Sequence, residues 1–486
     1  MNNKVRDFLF ENKVVLLFLS ITLFAFWASG LSTVVFFSEL FTRFGRNTFM
    51  VLALLIPVIA GLGLNFGIVV GAMAAQISMF LVILWGGDGV SGIFSVALLA
   101  TPIAIVLGYL VGRLFNSMKG SEMIGGMVTS LFADGFYQFL FLFVFGGIIP
   151  IAYARLMTST GVGVLNAIDL GDMRQALDNI SMFHILNVSF FVMLAFVALL
   201  LIYRLVKKQP IKMFGPTGLI KPLVILGFLL IGYILTWTVT PFLLFTYENR
   251  LNGVYASRLV AIIISAVQIY HIIRDIRDEK RPGLPIKRFV ILGLVAVGFL
   301  VTLLPEISNG LAHVRIPVFT YMIIGGLCLF IKWFINTRLG QNMRTIGQDR
   351  NVATAAGINV DRTRIIAMIM STVLAAYGQI IIIQSFGVMT TYGAHMNVGL
   401  YAIAALLVGG ATVTRASVKH AIIGVLLFHS LFILAPAAST NLMGAALFGE
   451  YFRVFAANAV IALALIMHAW KRVKKRKNEK AKATAA

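Results

Sequence analysis

Runs of 18 or more predominantly apolar residues recur along the whole of this 486-residue chain, and no other feature limits its folding as severely. A run of that length crosses the hydrocarbon core of a bilayer as an α-helix. Within lipid the backbone must satisfy its own hydrogen bonds, which leaves helices and closed barrels as the spanning structures. A barrel would show alternating segments of about ten residues. The apolar share is 59% and the mean hydropathy +0.94, against roughly half apolar in a soluble domain. The expected fold is an all-α polytopic membrane protein with roughly 12–14 transmembrane helices.

Fourteen apolar spans can be drawn: 14–32, 49–66, 68–86, 92–115, 123–148, 185–205, 222–245, 257–274, 287–304, 315–337, 364–386, 397–412, 418–437 and 452–470. Cytoplasmic loops hold the excess of Lys and Arg. With the N-terminus inside, 32 of the 40 basic residues fall on the inner side, and both termini face the cytoplasm. This placement accounts for the net charge of +22. The tail 471–486, KRVKKRKNEKAKATAA, is expected to meet anionic lipid headgroups or solvent. Nucleic-acid binding would need aromatics or a recognisable module, and the tail has neither. Lys4, Arg6 and Lys13 precede an apolar run without a small-residue cleavage site, which reads as a retained first helix. One cysteine, Cys328, excludes an internal disulfide framework.

The stretch 49–86 is too long for one straight span: 38 residues would make a helix of roughly 57 Å. It is expected to break at Gly61, Gly63 and Gly67. The spacing does not fit a dinucleotide fingerprint, and no strand precedes it. Irregular backbone at membrane depth lies beside protein or a water-lined path. Gly67, Gly71 and Ala75, four residues apart, also suit close helix packing without any solute contact.

Polar residues at membrane depth are expensive and become candidates for a solute path. Asn65 lies at the break, next to Phe66, and Gln76 about three turns on. Gln379 and Gln384 occupy a later span, and Asn397 opens the next. Uncharged amides both donate and accept, and the faces of Phe66, Phe136 and Tyr137 suit a sugar or nucleobase ring. The alternative for the amides is bonding between helices. Asp134 is the one acid deep in a drawn span. It suits ion coupling in a carrier, a solute hydroxyl in a permease, or a helix break beside Gly135. The histidines, among them His184, His271, His395 and His429, lack ligand spacing, and the chain has no Gly-x-x-x-x-Gly-Lys-Ser/Thr phosphate loop. Neither catalysis nor a metal site is expected.

Between two spans lies a polar island, 339–365, reading LGQNMRTIGQDRNVATAAGINVDRTRI. Its middle reads as a short helix capped by Asp349, kept slim by Ala353, Ala355 and Ala356, and stopped at Gly357. Asp361 is expected to cap the following span, with Val360 and Ile365 as a hydrophobic staple. Such a rod suits docking in a groove of another protein; an ordinary inner loop is the alternative. Outside, Asp169, Asp172, Arg174 and Asp178 alternate with Leu170, Met173, Leu177 and Ile180 as in a short amphipathic helix. That helix would either receive a solute-binding protein or lie at the lipid interface.

The spacing Gly340, Arg344, Gly347, Asn351, Ala355, Gly357, Ile358 resembles the cytoplasmic loop of ABC importer permeases, especially the simple-sugar and nucleoside (ribose-type) group related to the branched-chain permeases. Residues 401–424, with Gly409 and Gly410, resemble that family's next signature, and 61–75 does so more loosely. The resemblance covers about half of the chain. It implies that the segment around Arg350 and Gly357 is the coupling helix, worked by a cytosolic ATPase that binds ATP and Mg. This chain itself would carry no cofactor. It further implies an extracytoplasmic solute-binding protein, a second permease subunit, identical or related, and the bacterial inner membrane as the site of action. The chain departs from the sugar-type pattern at Leu64, Asn65 and Phe66, where the family has Asp-Leu-Ser, which leaves room for a nucleoside or another aromatic solute. After Gly410, ATVTRASVKH lacks the usual glycines.

The expected organisation is spans over 1–148, an extracytoplasmic loop 149–184 and extra spans 185–304. C-terminal spans 305–470 and the tail follow. An ion-coupled secondary carrier and a non-transporting membrane scaffold are the rival readings. The carrier would need an indispensable membrane acid, for which Asp134 is the candidate, and inverted repeats.

Overall fold

Small residues decide where these helices meet. The computed structural model describes residues 13–118, 120–151, 155–159, 161–207, 219–238, 250–277, 286–459 and 461–462. The N-terminal basic residues Lys4 and Arg6, most of the two loops expected inside, at 208–218 and 278–285, and the tail 471–486 lie outside them. The chain divides into two units, Met1–Ala176 with Ile323–Ala486, and Leu177–Met322.

In chain order the helices are α1 (Lys13–Ser29), α2 (Thr33–Ala53), α3 (Leu55–Ile59), α4 (Ile68–Leu84), α5 (Gly89–Ser117) and α6 (Glu122–Phe139). Then come α7 (Met182–Val206), α8 (Ile220–Thr238), α9 (Gly253–Arg277), α10 (Ile286–Val301), α11 (Pro305–Ala312) and α12 (Val318–Ile335). The last are α13 (Arg338–Gln348), α14 (Arg350–Ala355), α15 (Val360–Phe386), α16 (Ala394–Val408) and α17 (Val418–Met443). Four three-residue strands complete the set: β1 (Ala167–Asp169), β2 (Arg250–Asn252), β3 (Arg315–Pro317) and β4 (Val388–Thr390).

Eight helical stretches among the described residues are long and apolar enough to cross a membrane. A ninth is counted if α10 and α11, bent by 84° across residues 302–304, are one span. Shorter apolar helices lie at Val14–Ser29, Ile68–Leu84, Pro222–Ile234 and Ala394–Val408. The chain is an all-α polytopic membrane protein. The span drawn at 49–66 in fact runs Thr33–Ile59. Ser32 caps it, its hydroxyl accepting from the Val35 N–H, and the polar residues of 38–48 sit within it.

The first unit is built around α15. Gly71 of α4 sits so close that a side chain there would strike the Thr372 carbonyl. Gly108 and Gly112 of α5 bring its backbone against Ile369 and Ile365, the close approach that small residues at four-residue spacing permit. On another side Gly378 packs on Met50 of α2. Packing is thus the observed role of Gly71, as the spacing allowed.

β1 pairs antiparallel with β4, Ile168 opposite Met389. The amphipathic helix expected over 169–180 does not form. After β1 come a single 3₁₀ turn, Gly171–Met173, and further turns. Strand pairing takes the backbone of 167–169, and the Leu170 and Gln175 N–H groups donate to the Gly387 and Gln384 carbonyls at 3.1 and 2.8 Å. The apolar residues are buried all the same: Leu170, Met173 and Leu177 are each at most 5% exposed.

In the second unit, β2 pairs with β3, and α9 packs along α10, as α7 does along α8. Thr320 donates to Asp178 at 2.6 Å. Arg258 of α9 donates to the Thr302 carbonyl at 3.1 Å, which gives that carbonyl a donor at the bend between α10 and α11.

Candidate functional site

Two polar constructions stand out in the first unit, one at an end of the helices and one in their interior. The end construction begins with the polar island. Its middle is α14, whose N-cap Asp349 accepts from the Asn351 N–H at 2.8 Å and the Val352 N–H at 3.3 Å. Gly357 has φ +76°, in the left-handed region. The Gly357 N–H bonds the Thr354 carbonyl, and the Ile358 N–H bonds that of Ala353, both at 3.0 Å. This double closure is a Schellman stop. The next cap is a correction. Asn359, not Asp361, caps α15, its Oδ1 accepting from the Arg362 N–H at 3.0 Å; Asp361 lies in the first turn.

A second helix of the island, α13, precedes the rod. Gly340, Met343 and Ile346 are buried on one face. Any side chain at Gly340 would run into the Phe334 carbonyl, and one at Gly347 into the Ile59 carbonyl. Gly347 also touches Gly61 in the broken segment between α3 and α4. That segment is irregular from Ala60 to Gly67, with Gly61 and Gly63 at φ +71° and +76°. The break falls where the glycine cluster predicted it.

Arg350 opens α14 and reaches the same break. Its Nη2 donates to the Gly61 carbonyl at 3.3 Å and to Glu122 Oε1 at 2.5 Å. Arg364 Nη2 donates to the same oxygen at 2.6 Å. The Arg364 and Glu122 side chains are 1% and 5% exposed. In contrast Arg344, Asn351, Val352, Ala355 and Gly357 face outward, Val352 at 58% exposure. The island therefore has an inner face seated on the break and a bare outer face.

The interior construction joins the break to α4, α6, α15 and α16. Asn65 is fully buried. Its amide donates to Ser371 Oγ at 3.4 Å, and Ser371 donates to the Ala53 carbonyl at 3.0 Å. Phe66 is buried, and its carbonyl accepts from Ser130 of α6 at 2.6 Å. Gln76 donates to the Thr390 carbonyl at 3.0 Å. Asp134 Oδ1 accepts from His395 Nε2 at 2.7 Å, and Oδ2 from Gln138 at 2.8 Å. Tyr137 lies between rings, 4.8 Å from His395 and 4.3 Å from Phe141. Gln384 and Gln379 are buried on α15.

Asn65 Oδ1, Gln76 Oε1, Tyr137 Oη, Gln379 Oε1 and His395 Nδ1 are buried without a hydrogen-bond partner among the described residues. Such atoms are costly unless something fills their bonding capacity. Asn397 does not join them, being exposed on α16. Phe136 is 56% exposed and faces away. Asp134 continues within α6 rather than marking a helix break; the irregular backbone comes later, at Phe145 and Gly146.

Two residues central to these constructions did not emerge from the sequence. Glu122 meets Arg350 and Arg364 from 228 and 242 positions away, a separation no local pattern carries. His395 is one of seven histidines; only its contact with Asp134 distinguishes it.

The fold and these constructions define a multi-pass α-helical membrane protein with a polar interior. The family described as branched-chain amino acid transport system / permease component matches residues 140–469. The chain belongs to that family of transport permeases. The xylose transport system permease protein XylH of Haemophilus influenzae is 32% identical over 125 residues, 25% of this chain and 32% of the relative. The match thus spans about a third of that relative's length. No solved structure matches the chain.

Proposed function

We propose that this protein is the membrane-spanning subunit of a binding-protein-dependent ABC importer for a simple sugar. The observation that carries the reading is the capped rod α14, bare on one side and seated on the helix break through Arg350, beside Gly347 of α13, which packs on the same break. A groove on a cytosolic ATPase would take the bare face of Asn351, Val352 and Ala355. Movement of that face would be felt directly at Gly61 and, through Glu122, at the base of α6. ATP and Mg belong to the partner in this account, and this chain supplies the path.

The solute side follows from the buried amides and hydroxyls. Asn65, Phe66, Gln76, Asp134, Tyr137 and Gln384 are the proposed contacts, since groups that donate and accept suit hydroxylated solutes. Asn397 is left outside that set by its exposure. The partial likeness to a xylose permease favours a sugar; a nucleoside fits the same groups. A solute-binding protein would dock at the end that carries β1 and β4, and a second permease subunit would complete the path. The setting is the bacterial cytoplasmic membrane, with both termini inside.

Photocrosslinking from position 352 tests the docking. The adduct expected is an ATPase subunit, formed from 352 and not from 172 at the opposite end. Equal capture at both positions, or none at 352 in a complex that still transports, would remove the rod from the interface. A second reading rests on the Asp134–His395 pair, whose histidine is buried and whose carboxylate is half-buried: an ion-coupled carrier would use it. That carrier would accumulate solute on an ion gradient with this chain alone.

A further inference from the structure

The segment between α16 and α17, ATVTRASVKH after Gly410, has no part in the rod, yet it is fixed at the same end of the first unit. A side chain at Gly409 would strike the His420 carbonyl, and one at Gly424 the Ala405 carbonyl, so α16 and α17 meet there backbone to backbone. Ser417 caps α17, its hydroxyl accepting from the His420 N–H at 3.4 Å. Between these points the chain makes a tight turn. The Thr412 N–H bonds the Arg415 carbonyl at 2.8 Å, and the Arg415 N–H bonds the Thr412 carbonyl at 3.3 Å and its Oγ1 at 3.1 Å. Val413 is 5% exposed and packs on Gly63 beside Met123. Thr414, Arg415 and, past the cap, Lys419 are exposed.

Gly63 lies two residues from Gly61, which Gly347 touches and whose carbonyl takes Arg350. The turn and the rod therefore stand on one short piece of backbone. The rod alone is small: α14 has six residues, a length of roughly 9 Å. A stable interface needs about 800 Å² from each partner, so a protein seated on the rod must touch its surroundings as well. Those surroundings are basic. Arg344, Arg362, Arg415 and Lys419 are exposed, and none has an ion-pair partner among the described residues. The acids beside the rod are Asp349, engaged in capping it, and Asp361.

We propose that the turn 412–415, with Lys419, is a second contact for the cytosolic ATPase, on the rim of an interface centred on the rod, and that it meets an acidic patch of that partner. Rim charges steer encounter and set orientation, while the buried centre supplies most of the affinity. Held at both elements, the ATPase would grip the break from two directions, at Gly61 through Arg350 and Gly347 and at Gly63 through Val413. Attraction to anionic lipid headgroups would use the same charges, but it needs neither the closed turn nor the seat of Val413 in the break. Those two features favour a protein partner.

This inference rests on the importer reading, and the experiment separates the two. In the purified, transporting complex a photocrosslinking residue is placed at 352 or at 414, and each adduct is identified by mass spectrometry. The ATPase subunit is expected from both positions. The affinity of that subunit for the full chain in phosphatidylcholine nanodiscs is then measured for Arg415→Glu with Lys419→Glu, and for the same pair changed to Gln. The expected result is a Kd raised about tenfold by the Glu pair at low salt and less by the Gln pair. The difference should shrink as salt screens the exposed charges, with the melting temperature unchanged. An ATPase adduct from 352 with only lipid, or nothing, from 414 would make the turn a lipid-facing loop. It would overturn the inference and leave the importer reading standing. An unchanged Kd in the Glu pair would overturn the acidic patch. ATPase capture from 414 and not from 352 would overturn the rod as the centre of the interface and leave the turn as the contact. A complex that transports without any ATPase subunit would overturn the importer reading and the inference with it.

Discussion

One carboxylate oxygen of Glu122 receives both Arg350 and Arg364. The two arginines are unequal. Arg364 is buried, while a third of the Arg350 side chain is exposed, so their dependence on Glu122 differs. Removing one partner from a buried ion pair costs about 3–5 kcal/mol, because the other charge is left without compensation. Glu122→Gln is expected to lower the melting temperature of the detergent-solubilised protein sharply, and Arg350→Ala only slightly. Adding Arg364→Met to Glu122→Gln should restore part of the loss. A melting curve for Glu122→Gln that overlays the wild type would show that the clamp does not hold α6 to α15. At this scale the sequence was informative where chemistry is local. Asp349 as a cap and Gly357 as a stop were visible, since each acts on backbone groups a few residues away. Asn359 and Asp361 are both able to cap, and the helix starts two residues before Asp361, at the extended backbone of Asn359.

Among the elements, the rod α14 carries the sharpest expectations, because its two faces can be altered separately. A β-branched residue at 357 must adopt a left-handed conformation, which costs roughly 1–2 kcal/mol. Gly357→Val is expected to reduce transport several-fold while membrane insertion persists, checked by uptake alongside the level of folded protein. Val352→Asp places a charge on the exposed face, where no buried contact is disturbed. It should abolish co-purification of the ATPase and leave the melting temperature within a degree or two. Gly347→Val, in the preceding helix α13, reverses that pattern: partner binding persists, but α13 is pushed from the Ile59 carbonyl, the island loses its seat on the break and uptake falls. Co-purification and uptake measured together distinguish the two faces. Helix α13 went unforeseen because the island is polar throughout and its apolar contacts, Met343 and Ile346, are few. The helix expected at 169–180 failed for the opposite reason. Its spacing was adequate, but pairing with a strand more than 200 residues away and the bonds of the Leu170 and Gln175 N–H groups to Gly387 and Gln384 take its backbone out of helical register.

For the whole molecule, apolar run length sufficed to define the class, since a bilayer tolerates few alternatives. The division into units was less legible. Residues 177–322 form a unit of their own, and residue types within 185–304 resemble those of any other span. The centrality of α15 was hidden as well, because it depends on glycines of α4 and α5 meeting its backbone. The two ends of the first unit are nevertheless chemically distinct. Glu122, Arg350, Arg364 and the Gly61–Gly347 contact gather at one end, and β1, β4 and Tyr392 at the other. With Cys328 replaced by serine, a single cysteine at 352 should react with an impermeant thiol reagent only in inside-out vesicles, and one at 172 only in right-side-out vesicles. The reverse pattern would invert the proposed orientation.

In the proposed mechanism a separate ATPase, acting through the rod, drives solute across this bundle. Its most direct measurement is solute accumulation by proteoliposomes holding the purified complex, with and without enclosed or added ATP. Uphill accumulation is expected to require ATP and the ATPase subunit together, and to be lost in Val352→Asp. Uphill accumulation by this chain alone on an ion gradient, unaffected by ATP or by Val352→Asp, would contradict it.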